Sequence, residues 1–225
     1  KSGFPYFNSK KLVLESINEN TSLSLDCAVF DLDKDGDLDL FVCNYDAQFM
    51  GYGNYDNQLY RNEGNAHFTD VTVAAGFQPM TNYTFMALWM DYNRDLFPDL
   101  LVINDRFEVP NYFYHNNGDG TFTEISEQIN LDDYMFGMTA TADDFDNDGD
   151  LDLVVNNVNA PLSVFKNKST ETLKNHFLTV HIKGSGGNLK GIGARVTVFQ
   201  QGGIKVLQQM PNRGFQSSSD HQMVF

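Results

Sequence analysis

"DLDKDGDLDLFV", residues 31–42, places five aspartates within nine positions and then runs directly into an apolar strand. Carboxylates this close repel one another, so the stretch stays unfolded or shares a cation. It is also repeated. "DFDNDGDLDLVV" at 144–155 matches it at nine of twelve positions, and "DYNRDLFPDLLV" at 91–102 is a weaker copy. A second motif trails each copy: "LYRNEGNAHFTDVT" from 59, "FYHNNGDGTFTEIS" from 113 and a degenerate "SVFKNKSTET" from 163. The repeating object is therefore a whole supersecondary unit.

Each unit reads as four short strands, placed in the first at 23–30, 38–44, 58–62 and 67–73. Aromatic and β-branched runs alternate with Gly, Asn and Asp turns, without a sustained helical period. Four strands per repeat is the pattern of propeller blades, and closure takes about 4–8 of them. The expectation is an all-β fold: a partial β-propeller of four-stranded blades with metal-binding loops, followed by a small antiparallel β domain. Residues 4–15, "FPYFNSKKLVLE", are expected to add a strand from a preceding blade, making the chain a piece of a longer propeller.

The 225 residues are 41% apolar and 13% aromatic, with a net charge of −15. That is a globular composition whose field repels nucleic acid and anionic membrane surfaces and attracts cations. No apolar run approaches the ~20 residues of a membrane span. Nucleic-acid binding and membrane insertion are not expected.

Counting from Asp31, side-chain oxygens fall at positions 1, 3, 5 and 9: Asp31, Asp33, Asp35 and Asp39. Gly36 takes position 6, where a tight turn favours a residue without Cβ. Asp37 at position 7 offers its main-chain carbonyl. Hard cations such as Ca²⁺ take 6–8 oxygens, and alternate residues of a tight loop turn theirs inward. Loop three (144–152) repeats the set with Asp144, Asp146, Asp148 and Asp152, Gly149 at 6 and Asp150 at 7. Loop two (91–99) offers Asp91, Asn93, Asp95 and Asp99, with Phe97 at 7, but puts Leu96 at 6 and Pro98 at 8. An EF-hand is excluded, because its bidentate Glu at position 12 is replaced by Val42, Val102 and Val155. The expected cofactor is Ca²⁺, clamping blade hairpins.

The loops, the "LDLxV" strands and the "NNGDGTF" turn at 116–122 resemble FG-GAP/VCBS repeats, the calcium-loop blades also found in integrin α-chain propellers. "MFG" at 135–137 resembles the motif that gives the family its name. The resemblance spans roughly 20–170. From Lys174 the pattern changes to "FLTVHI", "ARVTVF" and "IKVLQQM" between Gly-rich turns. With "GIGARVTV" at 191–198 and the ending "GFQSSSDHQMVF", this part resembles the ASPIC/UnbV domain of secreted proteins, including the cartilage acidic protein family. The expected division is 1–172 for the propeller blades and 173–225 for the ASPIC/UnbV-like domain. "GSGGNLKGIGA" lacks the Gly-Lys-Ser/Thr of a phosphate loop and reads as a hairpin turn.

His67, His115, His176, His181 and His221 have no metal-ligand spacing, and no G-x-S-x-G is present. His115 and Arg61 hold equivalent places and are expected at the surface. An enzyme is not expected. The reading is a secreted or cell-surface binding or adhesion module for a protein or glycan. The alternatives are a structural subunit assembling through further blades, or the non-catalytic part of a polysaccharide-active enzyme. Tyr45, Phe49, Tyr52 and Tyr55 in the insertion 45–57 are the candidate recognition loop. Asn20, Asn82 and Asn167 stand in N-x-S/T sequons. Pairing Asp31 with Asp39 would set Cys27 opposite Cys43, within reach of a disulfide or as two reduced thiols; a one-residue slip would forbid the bond.

Overall fold

The computed structural model describes residues 23–46, 56–65, 67–77, 83–174, 176–200, 203–210, 212–214, 217–218 and 221–225. The additional strand expected at 4–15, most of the insertion 45–57, and Asn20 and Asn82 lie outside these residues.

The first unit is a four-stranded antiparallel sheet in sequence order: β1 (Leu23–Phe30), β2 (Asp39–Tyr45), β3 (Gln58–Asn62) and β4 (Phe68–Asp70). The second repeats it with β5 (Thr84–Met90), β6 (Asp99–Asn104), β7 (Tyr112–Asn116) and β8 (Phe122–Glu124). Three strands form the third sheet: β9 (Gly137–Asp143), β10 (Asp152–Asn157) and β11 (Ser163–Phe165). Where a fourth strand was expected, the chain turns into a short helix, α1 (Ser169–Leu173). "STETL" has no aromatic or apolar alternation to hold a strand. Instead, the Asp150 carboxylate accepts from Thr170 N–H at 2.7 Å and from the Thr170 hydroxyl at 2.6 Å, which satisfies the start of the helix.

The sheets pack face against face. Leu100 and Val102 of β6 join Phe41, Cys43 and Leu59 of the first sheet, while Leu101 and Ile103 join Ala140, Leu153 and Val155 of the third. All six residues of β6 are buried, as expected of a strand covered on both sides. The outer faces of the stack are open: Val29 is 56% exposed and Val164 66%.

Each second strand carries at or next to its end an Asn that ties down the link to the third. Asn44, Asn104 and Asn157 donate to the carbonyls of Asp56, Pro110 and Pro161 at 2.7, 2.7 and 3.0 Å. The C-terminal part forms three two-stranded antiparallel pairs. These are β12 (Thr179–His181) with β17 (Gln222–Val224), β13 (Arg195–Gln200) with β14 (Gly203–Gln208), and β15 (Asn212–Gly214) with β16 (Ser217–Ser218). No helix among the described residues is long and apolar enough to cross a membrane.

The cysteine pairing is corrected. Phe30, not Asp31, stands opposite Asp39, so Cys27 faces Val42 and Cys43 faces Asp26. Cys43 is fully buried in the core between sheets one and two, and Cys27 is exposed; both are free thiols. The same offset of one sets Ala87 opposite Val102 and Ala140 opposite Val155.

Candidate metal sites

All three aspartate loops join the first and second strands of a sheet, and they share one backbone. Position 4 is left-handed in each, with φ of +63° at Lys34, +62° at Arg94 and +61° at Asn147. So is position 6, at +97° for Gly36, +73° for Leu96 and +94° for Gly149. Short side chains close the turns locally. Asp33 and Asp35 accept from N–H groups two residues on, at 3.3 and 2.8 Å, as do Asn93 and Asp95 (3.1 and 2.8 Å) and Asp146 and Asp148 (3.2 and 3.0 Å). In loops one and three the position-6 glycine N–H also donates to the position-1 carboxylate, at 3.1 Å in both.

The position-9 aspartate is the clasp. Its Oδ2 accepts from the position-2 N–H: Leu32 to Asp39, Tyr92 to Asp99 at 3.2 Å, Phe145 to Asp152 at 3.2 Å. Its Oδ1 accepts from a third-strand asparagine or its neighbour in the turn: Asn62, Asn116 and Asn167 N–H at 2.8, 2.9 and 2.9 Å. The same asparagines return their side-chain amides to the position-8 carbonyls of Leu38, Pro98 and Leu151 at 3.1, 3.1 and 3.3 Å. Sequence reading placed Asn62, Asn116 and Asn167 in a turn motif. Their recurrence in "YRN", "YHN" and "FKN" is the signal that they belong to the loops.

In loop one, Asp31, Asp33 and Asp39 each bring one carboxylate oxygen to within 4.8 Å of the others; in loop three, Asp144, Asp146 and Asp152 do the same. Asp31 Oδ1 and Asp144 Oδ1 are buried without a hydrogen-bond partner. Burial pushes Asp31, Asp39, Asp144 and Asp152 above the ordinary carboxylate range, and the Asp35 and Asp33 charges raise Asp31 further. A buried, acceptor-only oxygen among other carboxylates leaves a need for positive charge. These donor sets fit a hard divalent cation. Asp35 and Asp148 flank the sets, and Asp148 Oδ2 lies 3.0 Å from the Lys166 ammonium, which also contacts Asp146. Asp37 stays exposed. Asp150 is fully buried and its side chain is spent on α1, leaving its main chain for the loop.

Loop two shares the buried, unpartnered position-1 oxygen, Asp91 Oδ1, but is filled differently. The Lys205 ammonium from β14 sits 2.9 Å from Asp91 Oδ2. Asn93 donates its amide to Asp95 at 2.9 Å. Asp99 is fully buried and pushed up to about 8 by that burial. His115, expected at the surface, is half-buried with Nδ1 3.0 Å from Asp99 Oδ1. The Phe97 ring packs beneath the Lys34 ammonium, 3.3 Å from its centroid. Arg61 remains exposed, paired with Glu63 at 2.7 Å.

These loops and their sheets define a repeat class. The chain belongs to the FG-GAP-like repeat family, whose model matches residues 31–102 and 91–155, over half of the chain. A second family model, ASPIC and UnbV, matches residues 184–225. Among curated proteins the chain is similar to cartilage acidic protein 1 of Xenopus tropicalis, 39% identical over 70 residues. It is also similar to cartilage acidic protein 1 of Homo sapiens, 37% identical over 70 residues, and of Mus musculus, 34% over 61. The matches cover 31%, 31% and 27% of this chain but only 11%, 11% and 9% of the relatives' own length.

Proposed function

We propose that this chain is part of a calcium-stabilised, extracellular, non-catalytic binding or adhesion module. The observation that carries the reading is the convergence of three carboxylates in loops one and three around a buried, unpartnered position-1 oxygen, Asp31 Oδ1 and Asp144 Oδ1. Asp31, Asp33 and Asp39 would hold one ion, and Asp144, Asp146 and Asp152 the other, with main-chain oxygen from Asp37 and Asp150. The ion would supply charge neutralisation and pin each loop to its two strands. It would perform no reaction.

The family match and the similarity to cartilage acidic protein 1 support the extracellular assignment and the absence of catalysis. The open apolar faces of sheets one and three support a propeller completed by further blades. A protein or glycan ligand is the expected partner, and residues 173–225 the second domain.

Titration calorimetry with Ca²⁺ tests the core of the reading. Two equivalents per chain are expected, with Mg²⁺ a poor substitute because it demands a smaller, near-octahedral shell. No heat at millimolar Ca²⁺ would end it. Glycan and extracellular-protein arrays, probed with Ca²⁺ and with chelator, test the binding role.

A further inference from the structure

We propose that loop two takes an ammonium of its own chain in place of a metal ion: Lys205 is the resident cation of residues 91–99, and the loop is the socket that docks the hairpin β13–β14. The inference builds on the calcium reading of loops one and three and separates loop two from it.

Lys205 reaches Asp91 Oδ2 at 2.9 Å, with the two side chains only 15% and 8% exposed. Calcium at this loop would need the Asp91 carboxylate, and an ammonium against it repels a second cation. The other donors are also depleted. Asn93 is neutral, and its amide occupies Asp95. Position 4 is cationic in loops one and two alike, as Lys34 and Arg94, but Arg94 is spent on loop three and the segment after it. Its guanidinium lies 3.8 Å from Asp150 of loop three, donates to the His176 carbonyl at 3.2 Å, and sits over the Phe177 ring at 5.4 Å.

The two departures of loop two from the repeat, Leu96 and Pro98, point to the same docking. Both line a cavity of about 590 Å³ that Ile204, Lys205, Val206 and Leu207 line as well. Leu96 stands where loops one and three have glycine, and its Cδ1 would be 2.9 Å from a Cβ on Gly203, at the start of β14. The loop has thus exchanged the glycine for a side chain that meets the hairpin, while the hairpin supplies the charge. Loop three provides the control. Lys166 also touches aspartates there, but its side chain is 44% exposed, so it can swing away when an ion enters.

The test uses the whole chain, with Ca²⁺ counted by native mass spectrometry and hairpin opening followed by amide exchange. The variants are Asp91→Asn, Lys205→Met and the charge swap Asp91→Lys with Lys205→Asp. Two ions are expected in wild type and in Asp91→Asn alike. Exchange at Val196–Phe199 and Ile204–Leu207 should rise about tenfold in each single variant and fall back in the swap. Three ions in wild type, one of them lost in Asp91→Asn, would overturn the proposal. So would hairpin protection that neither single variant changes. Zero ions would sink the calcium reading of loops one and three, yet the exchange measurement would still decide the Lys205 docking. The wild-type ion count needs no variant to fold.

Discussion

Asp31 and the equivalent Asp91 each keep one oxygen, Oδ1, buried and unpartnered, but in loop one Asp33 and Asp39 close around it, whereas in loop two the Lys205 ammonium lies 2.9 Å from the other oxygen of Asp91. The backbones are alike to the left-handed residues at positions 4 and 6, and the same side-chain-to-main-chain turns brace both. The loop shape is therefore set by its own hydrogen bonds and by the position-9 clasp. What fills the centre is set by the side chains brought to it: Asp33 and Asp39 at loop one, Lys205 of a hairpin at loop two. A repeat can keep its conformation while one copy changes its chemistry.

The largest effect that would sharpen this contrast is removal of calcium. An ion at one hundred times its Kd stabilises the folded state by about 2.7 kcal/mol. Two such sites give roughly 5 kcal/mol, or about 10–20 °C in Tm for a chain of this size. Chelator should produce that drop in scanning calorimetry and added Ca²⁺ should reverse it. Asp31→Asn with Asp144→Asn should abolish the response, while Asp91→Asn should leave it intact. A chelator-insensitive Tm would erase the distinction between the loops.

Next comes position 6 itself. Gly36→Ala introduces a side chain at φ +97° with no atom within 4 Å, so only the backbone strain is felt, about 1–2 kcal/mol. Gly149→Ala at φ +94° also drives Cβ to 2.2 Å from the Phe177 ring. The ring must leave the loop, and overpacking adds about 1–3 kcal/mol. Urea titration should rank Gly149→Ala clearly below Gly36→Ala. Equal losses would mean that residues 176–178 do not rest on loop three.

A smaller effect is expected at the clasp. Asn116→Ala removes a 1% exposed side chain that donates to Pro98 O and accepts from Gly118 N–H at 3.0 Å. A loss of about 1–3 kcal/mol follows from the unpaired groups left behind. The cost at Asn62, in a more open setting, should be nearer the lower end, and denaturant midpoints measure both. Asn167 donates to Tyr92 O at 2.8 Å as well as to Leu151 O, so a glycan on its amide, which leaves a single N–H, would break at least one of these bonds. Intact mass of natively produced chain is expected to show that sequon bare.

Much of this was legible locally, and the misses have physical causes. Strands expected at 23–30 and 58–62 fall at Leu23–Phe30 and Gln58–Asn62, because alternation and turn residues mark both ends. The loops were legible because oxygens at alternate positions have few other uses. The cysteine register was missed by one residue. Counting from Asp31 ignored the clasp, which makes Asp39 the first residue of β2 and sets it opposite Phe30. The helix replacing a fourth strand in the third unit rests on Asp150, whose side chain looks from sequence like one more loop carboxylate. Lys205 lies 114 residues from Asp91, and no local pattern could announce that pairing.

The last expected effect is a change in the slope of stability with pH, and it separates the loops without mutation. Burial raises Asp31, Asp39, Asp144 and Asp152 above their ordinary 3.8 in the folded chain. In chelator the folded state then keeps protons that the unfolded state has released. The stability these groups contribute is complete below pH 3.8 and is lost as pH rises through their folded values. Calcium reverses this for loops one and three, because protons must leave before the ion binds, so stability there increases with pH over the same acid range. Asp99 behaves differently. Its folded value of about 8 and the absence of an ion at loop two make its contribution fall toward pH 8 with or without calcium. Melting temperatures from pH 5 to 8 should therefore slope downward in chelator and less steeply in calcium, and Asp99→Asn should remove the same increment from both curves. A downward slope that calcium leaves unchanged would mean that the buried oxygens of Asp31 and Asp144 are not where the ions sit.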